Sequence, residues 1–177
     1  MSDEARLPDP WPLIPHLPPE SAVIVRRRDA DAAADMAKSL ALAARPFGVT
    51  VLLSAAVPPS QLDADGVHIP EASLGNWRAR DFHRLRPALV TASAHGARAV
   101  LRAHRLGVDA VLLSPVFATR SHEDTAALGM MRFAAICQAT NLPVIALGGI
   151  SAGRVRRVLR AGAAGVAGIG LFTPRTG

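Results

Sequence analysis

Two glycine-containing strand ends near the carboxyl terminus are the best candidates for chemistry in this sequence. In LPVIALGGIS, residues 142–151, an apolar run stops abruptly at a glycine pair and a serine. Side chains are missing there, so backbone amides can approach a ligand, and a helix starting at Ser151 would direct unpaired N–H groups to the same place. The pattern predicts a phosphate site, and the alternative is that the glycines only make tight turns and close packing. The glycine-containing ends are Gly148-Gly149 and Gly168-Ile169-Gly170.

Strands and helices that would position these residues alternate along the chain. Continuous β-branched and apolar runs are typical of a parallel sheet that is covered on both sides. Helical spacing of apolar residues separates these runs, and it places His104 and Cys137 on packing stripes rather than among ligands. The predicted strands are 22–26, 49–53, 66–69, 88–92, 109–113, 143–147 and 164–169, and the predicted helices lie near 30–45, 76–86, 97–106, 130–137 and 151–161.

The repeating strand–helix units predict either a doubly wound sheet or a (β/α)₈ TIM barrel, and we favour a shortened barrel. A complete barrel commonly has about 200 residues or more, whereas this chain has 177 and seven predicted strands. We expect the last helix to be absent or one turn long. The first strand is either missing or made from WPLI at 11–14.

The first twenty residues contain six prolines and predict an irregular arm, which leaves residues 21–177 as a single barrel domain. A gap beside the last strand would expose apolar surface. A second subunit is one way to cover that surface, so we expect some self-association, and an arm folded over the gap is the alternative.

The composition favours a small anionic ligand. The net charge is +6, nineteen of the twenty basic side chains are arginine, and only 4% of residues are aromatic. Charge spread along the chain without interleaved aromatics is not typical of nucleic-acid binding. Cys137 is the only cysteine, and the sequence has no signal core and no apolar run near the roughly 20 residues of a membrane helix. We therefore expect a cytoplasmic protein without a nucleic-acid or membrane partner.

Five segments resemble the thiamine phosphate synthase/TenI family in order and spacing, and VIVRRRD at 23–29 does so more loosely. The resemblance implies a (β/α)₈ barrel that acts on small phosphorylated substrates. Synthases of the family join a pyrimidine diphosphate to a thiazole phosphate with Mg²⁺ and release diphosphate, whereas a tautomerase branch isomerises the thiazole ring. The five segments are ADGVHIPEASL at 64–74, TASAH at 91–95, SPVFATRSHEDTAALG at 114–129, LPVIALGGIS at 142–151 and AGAAGVAGIG at 161–170.

The same resemblance assigns the phosphate site. The backbone of both glycine-containing strand ends would hold the thiazole phosphate, and two hydroxyls in the loop after the fifth predicted strand would grip its oxygens. Without the family, a Thr-x-Ser pair could simply cap a turn. The residues concerned are Thr119, Ser121, Gly148, Gly149, Gly168, Ile169 and Gly170.

The resemblance also implies catalytic residues. Ser93 matches a serine that meets the pyrimidine, and Arg26 matches an arginine for the diphosphate. Arg28 and His122 stand where the family has lysines, and arginine can bind phosphate in a forked geometry. Ser93 could instead be an ordinary strand-end hydroxyl, and the arginines part of a solvated basic turn. His68 is expected to be a structural hydrogen-bonding residue.

The positions that hold Mg²⁺ in the family carry no carboxylate here. Ala55 and Ser73 occupy them, although Mg²⁺ prefers carboxylate oxygens. Glu71 is a possible substitute, and Glu123 or Asp124 could also approach, so Mg²⁺ is expected from the family but doubtful in this chain.

The sequence is compatible with three functions. The leading hypothesis is a divergent synthase. The second is a metal-independent thiazole isomerase that uses a rim histidine, because Pro115 occupies the position of the branch's own histidine. His95 and His122 are the nearest replacements. The third is a catalytically silent phosphate-binding or regulatory protein.

Overall fold

Seven parallel strands form one curled sheet in the computed structural model, which describes residues 7–118, 126–169 and 171–172. The strands pair in the order in which they occur in the sequence. A doubly wound sheet reverses its strand order part-way, so consecutive order identifies the shortened barrel and confirms the predicted fold class. The strands are β1 Ala22–Val25, β2 Thr50–Ser54, β3 Gly66–Ile69, β4 Leu89–Ala94, β5 Ala110–Leu113, β6 Val144–Ala146 and β7 Gly165–Val166.

Helices follow most strands and cover the outer face of the sheet. Asp29 caps the first helix by accepting a hydrogen bond from the amide of Ala32 at 2.9 Å. Gly107 ends the third helix in a left-handed conformation. The α-helices are α1 Ala30–Ala44, α2 Ala79–Leu85, α3 Ala97–Leu106, α4 Gly129–Gln138 and α5 Ala152–Arg160, and the 3₁₀ helices are Trp11–His16, Arg45–Phe47 and Glu71–Asn76.

Strand alternation divides the core into an outer and an inner layer. Outward-facing residues such as Val25, Val67 and Val111 are fully buried against the helices. The inner layer contains Ile24 and Leu52 among a smaller set of apolar side chains. Because only alternate residues face inward, the barrel interior holds one side chain from each two-residue repeat.

Residues 11–14 do not form the missing first strand. Trp11–His16 is a 3₁₀ helix that contains Pro12 and Pro15, which have no backbone N–H to donate to a strand ladder. This arm is held beside β1, since Ile14 is buried and the carbonyl of Pro8 accepts a hydrogen bond from Arg27 at 3.0 Å. Of the two alternatives, the one that makes the strand from WPLI was wrong, and no strand precedes β1 in the part of the chain that the structure describes.

An open seam therefore separates β1 from β7. In the sheet β1 pairs with β2, and β7 pairs with β6. A cavity of about 520 Å³ lies inside the seam, with a largely apolar lining that includes Leu13 from the arm and Ile145 from β6. The arm thus covers part of the space that an eighth strand would fill, and self-association remains a prediction.

None of the described helices could span a membrane, since even α1 has only 15 residues.

Gly66 of β3 lies directly against β2 and β4, so a substitution there tests how closely these strands pack. A Cβ atom at this position would overlap the carbonyl of Leu89 and lie 2.7 Å from Cδ2 of Leu52. We expect Gly66→Ala to lower the free energy of unfolding by about 1–3 kcal/mol, because the strands would have to separate. Urea unfolding followed by circular dichroism measures this change.

Gly75→Ala is the matched control, since nothing lies within 4 Å of a Cβ atom there. If the two variants are equally stable, the close strand approach at Gly66 is not present in solution.

Candidate active site

The carboxyl ends of all seven strands lie on one rim, because parallel strands paired in register end on the same side. Arg26 follows β1, Ala55 follows β2 and Glu71 follows β3 within two residues. Ser93 is the residue before the end of β4, and Gly148 lies two residues after the end of β6. The sheet thus brings residues that are distant in sequence to a common face.

His68, Thr91 and Ser93 form a hydrogen-bonded trio inside this rim. Nδ1 of His68 lies 2.9 Å from the hydroxyl of Thr91, and Nε2 lies 2.8 Å from the hydroxyl of Ser93. Thr91 and Ser93 share a face because residues two apart in a strand point the same way. His68 is paired with Thr91 in the register of β3 and β4. The imidazole therefore fixes where the Ser93 hydroxyl lies.

Burial keeps this histidine neutral. Only 2% of His68 is exposed, and burial lowers the pKa of its imidazole from the usual 6.5 to about 3, with the charge of Arg26 acting in the same direction. A neutral imidazole has one donor and one acceptor nitrogen. Each neighbouring hydroxyl can supply the complementary role, so the trio satisfies both ring nitrogens without a charge.

The three arginines after β1 face different ways. Arg27 turns outward, where its Nε lies 3.4 Å from the sulfur of Met36 and its guanidinium holds Pro8. Arg26 is exposed at the rim, close enough to His68 for its charge to affect the imidazole. Arg28 is exposed too, two residues further along. Arg27 therefore contacts the arm, whereas its neighbour Arg26 lies at the rim.

The glycine pair after β6 forms a tight turn against the loop that follows β5. Gly148 and Gly149 have φ values of 92° and 64°, a region that disfavours residues with a side chain. A Cβ atom on Gly148 would lie 2.7 Å from Cα of Pro115, and one on Gly149 would lie 2.7 Å from the carbonyl of Ala118. Both the conformation and the close packing require glycine. The glycines thus make the tight turn and close packing that the sequence offered as the alternative to phosphate binding.

The same turn leaves amides available to a ligand. Its carbonyls are used, since Leu147 and Gly148 accept hydrogen bonds from the amides of Val116 and Phe117 at 2.9 and 3.1 Å. Among the described residues, the amides of Gly148, Gly149 and Ile150 donate to no backbone carbonyl. Close packing and anion binding are therefore compatible here, because they use opposite sides of the same peptides.

A model of the thiamine monophosphate synthase family matches residues 20–172. The match covers the whole described sheet and both glycine-containing strand ends. This chain belongs to the thiamine monophosphate synthase family.

Curated relatives carry the same family name. A thiamine-phosphate synthase from Methanoculleus marisnigri is 42% identical over 107 residues, which are 59% of this chain and 49% of that protein. A thiamine-phosphate synthase from Chloroflexus aurantiacus is 37% identical over 107 residues, 60% of this chain and 49% of that protein. The matched stretch therefore spans about half the length of these relatives.

The fold comparison agrees with the family. Thiamine phosphate pyrophosphorylase from Pyrococcus furiosus superposes with a TM-score of 0.73 at 20% identity, over 94% of this chain and 82% of that chain. A 3-hexulose-6-phosphate synthase superposes with a TM-score of 0.54 at 15% identity, over 83% of this chain and 88% of that chain. At these identities the likeness concerns the fold alone.

The family's metal-binding positions do not hold a metal-binding set in the described structure. The side chain of Ala55 has no donor, and Ser73 is buried in the 3₁₀ helix after β3. Within the described ranges, no three His, Cys, Asp or Glu residues lie close enough together to hold a metal ion as a group.

Glu71, the possible substitute, is engaged elsewhere. One carboxylate oxygen lies 3.0 Å from Nη2 of Arg102, and the other accepts from the amide of His95 at 2.7 Å and lies 2.6 Å from its Nδ1. Cationic and N–H partners compete with a metal for these oxygens. The described residues thus do not fit a magnesium ion.

Two more of the predicted site residues lie at the rim, and the others are outside the described residues. Gly168 and Ile169 follow β7 at the rim and are half-buried, and a Cβ atom on Gly168 would lie 3.2 Å from Cβ of Leu171. The other candidates, together with the acidic residues of the same loop, lie outside the described residues: Thr119, Ser121, His122, Glu123, Asp124 and Gly170.

Sequence reasoning missed three features of the site. Thr91 was not singled out, although its two-residue spacing from Ser93 signals a shared strand face. The Glu71–Arg102 pair joins residues 31 positions apart, and no local pattern indicates it. The contact of Arg154 with the glycine turn was also missed, because a helix-face arginine is usually solvated.

The buried histidine makes the stability of the protein depend on pH. His68 has a pKa in the folded state below its value in the unfolded chain, so protons bind preferentially to the unfolded chain between about pH 6.5 and 3. Stability from this group is complete above pH 6.5 and falls as the pH drops. We expect the wild type to lose about 2 kcal/mol more than His68→Gln between pH 6.5 and 5.

Urea unfolding at several pH values measures this difference. His104 is exposed, so its predicted packing position was wrong, and His104→Gln should retain the wild-type acid sensitivity. An equal loss of stability in the wild type and in His68→Gln would show that His68 is not kept neutral by the fold.

Proposed function

We propose that this protein is a thiamine-phosphate synthase, which joins a pyrimidine diphosphate to a thiazole phosphate and releases diphosphate. Family membership over residues 20–172 and relatives named as synthases support the proposal. The observation that carries it is the Gly148-Gly149 turn, where packing against Pro115 and Ala118 enforces glycine and the amides donate to no backbone carbonyl among the described residues.

The first proposed step is binding of the thiazole phosphate. The amides of Gly148 and Gly149 would donate to the phosphate oxygens, and α5 begins next to them with the positive end of its dipole. Gly168 and Ile169 would approach from the neighbouring strand end. Thr119, Ser121 and Gly170 remain predicted members of this site.

The second step is departure of the diphosphate. The bond between the pyrimidine's methylene carbon and the diphosphate oxygen breaks, and its electron pair leaves with the diphosphate. Positive charge develops on the pyrimidine while negative charge grows on the leaving group. Arg26 and Arg28 would stabilise the leaving group, with His122 adding charge when protonated. The thiazole nitrogen then supplies the electron pair for the new bond to carbon.

Ser93 is proposed to orient the pyrimidine. Its hydroxyl is fixed by His68 at 2.8 Å, so its position does not have to be established when substrate binds. The neutral imidazole adds no charge beside a pyrimidine that becomes positive. This preorganisation is the contribution we assign to the buried trio.

No step is assigned to magnesium. The family's synthases use the ion, but the described residues at its positions do not fit it, and Glu71 is paired with Arg102 and His95. Arginine charges would then carry a larger share of the leaving-group stabilisation than in a metal-dependent synthase.

The proposal also covers the partners of the protein and its cellular compartment. Small phosphorylated molecules would be its partners, and a single cysteine suits the reducing cytoplasm. The apolar seam between β1 and β7 supports self-association as a way to cover it.

A coupling assay tests the proposed reaction. Purified protein is given pyrimidine diphosphate and thiazole phosphate, in parallel with Mg²⁺ and with EDTA, and products are followed by chromatography. We expect thiamine phosphate and diphosphate in equal amounts. Isomerisation of a thiazole precursor without coupling would favour the tautomerase function, and binding of thiazole phosphate without any turnover would favour a silent protein.

Ser93→Ala tests the proposed role of the buried trio. Losing one hydrogen bond to the pyrimidine should lower kcat by about tenfold and leave the KM for thiazole phosphate within about twofold. Steady-state kinetics with each substrate varied in turn separate the two effects.

Ser39→Ala, on the exposed face of α1, is the control and should match the wild type. Unchanged kcat in Ser93→Ala would remove Ser93 from the proposed site.

A further inference from the structure

Arg154 contacts both sides of the glycine turn, although nothing in its sequence context marks it as different from the other arginines of α5. Its Nη1 donates to the carbonyl of Gly149 at 2.8 Å. Its guanidinium carbon also lies 4.5 Å from the ring centroid of Phe117. One side chain therefore joins the turn after β6 to the loop after β5.

Among the described residues, the contact with Arg154 is the only hydrogen bond that holds the peptide between Gly149 and Ile150. Two consecutive glycines with positive φ have few steric barriers to changing the orientation of their peptide groups. The peptide between Gly149 and Ile150 is trans, since the only cis bond among the described residues precedes Pro115. A planar trans peptide directs its N–H opposite to its C=O. When Arg154 holds the Gly149 carbonyl, the Ile150 amide must point away from the guanidinium.

The contact with Phe117 fixes the other side of the turn. Phe117 donates its amide to the carbonyl of Gly148 at 3.1 Å, and its Cβ lies 2.8 Å from where a Cβ of Gly149 would be. A guanidinium over an aromatic face is attracted by the ring's electrons and packs flat against it. The ring and the turn thus form one packed unit with Arg154 across it.

We propose that Arg154 is a positioning residue of the phosphate site, which holds the Gly149–Ile150 peptide with its amide directed toward the bound phosphate. This inference rests on the proposed function, because it takes phosphate as the ligand of the turn. Arg154 acts through the turn and does not itself touch the ligand: its bonded guanidinium lies on the opposite side of the peptide from the Ile150 N–H.

Variants that separate geometry from charge test the proposal. Arg154→Gln removes the contact and one charge, whereas Arg154→Lys keeps the charge but loses the planar group over Phe117. Arg156→Gln, on the exposed surface of the same helix, removes an equal charge and is the matched control. Phe117→Leu removes the aromatic face and keeps an apolar side chain.

Calorimetric titration with thiazole phosphate and with the unphosphorylated thiazole alcohol provides the binding measurement. We expect both Arg154 variants to weaken binding of the phosphate by about tenfold and binding of the alcohol by less than about twofold. Arg156→Gln should change neither by more than about twofold, and Phe117→Leu should fall between. The KM for thiazole phosphate should rise in parallel, with the KM for pyrimidine diphosphate unchanged.

Amide hydrogen exchange reports the turn without any ligand. Exchange of the peptide containing residues 148–150 should be faster in both Arg154 variants than in the wild type and Arg156→Gln, at equal melting temperature. Wild-type affinity in Arg154→Lys, or equal weakening in Arg154→Gln and Arg156→Gln, would overturn the positioning role. If the wild type does not bind thiazole phosphate, the proposed function fails, and unchanged exchange in the Arg154 variants would separately overturn the contact.

Discussion

Parallel pairing of seven strands in consecutive order is the constraint on which the rest of this structure depends. It places every strand's carboxyl end on one rim and alternates side chains between helix-facing and interior positions. His68 meets Thr91 because β3 and β4 pair with those residues in register. A slip of one residue in β3 would turn His68 into the helix-packing layer, away from the hydroxyls of Thr91 and Ser93.

The rim that results is suited to anions. Its buried histidine is neutral, because desolvation in the barrel interior outweighs what protonation could gain there. Glu71, an acidic side chain close to this face, is paired with Arg102 and His95. The glycine turn contributes N–H groups rather than side chains. Phosphate recognition by backbone amides and neighbouring arginines is the chemistry that this distribution favours.

The seam between β1 and β7 is separate from the contacts that shape the glycine turn. Strands β1 and β7 border a largely apolar cavity, and a proline-containing arm lies against its edge, with Trp11–His16 as a 3₁₀ helix rather than a strand. Ile14 anchors that arm in the layer between β1 and α1. The glycine turn after β6 packs against Pro115, Phe117 and Ala118, so its shape is set by contacts that do not involve the seam.

Local sequence patterns were enough to predict the strands of the sheet and the glycine turn after β6. Each of the seven strands was predictable because a strand buried on both faces leaves a continuous apolar run, and each predicted run overlaps a strand of the sheet. The glycine turn was predictable for a similar reason, since a pair of residues without side chains directly after such a run is a local signal.

Which polar groups contact one another was not predictable in this way, because these contacts join distant parts of the chain. The pairing of Glu71 with Arg102, of His68 with Ser93 and of Arg154 with Gly149 and Phe117 depends on strand register and on how helices pack against the sheet. Proline explains why WPLI is helical rather than extended, but where the arm lies was also decided by packing. Local sequence sets the conformation of a segment, whereas contacts between distant segments depend on the free energy of the whole assembled chain.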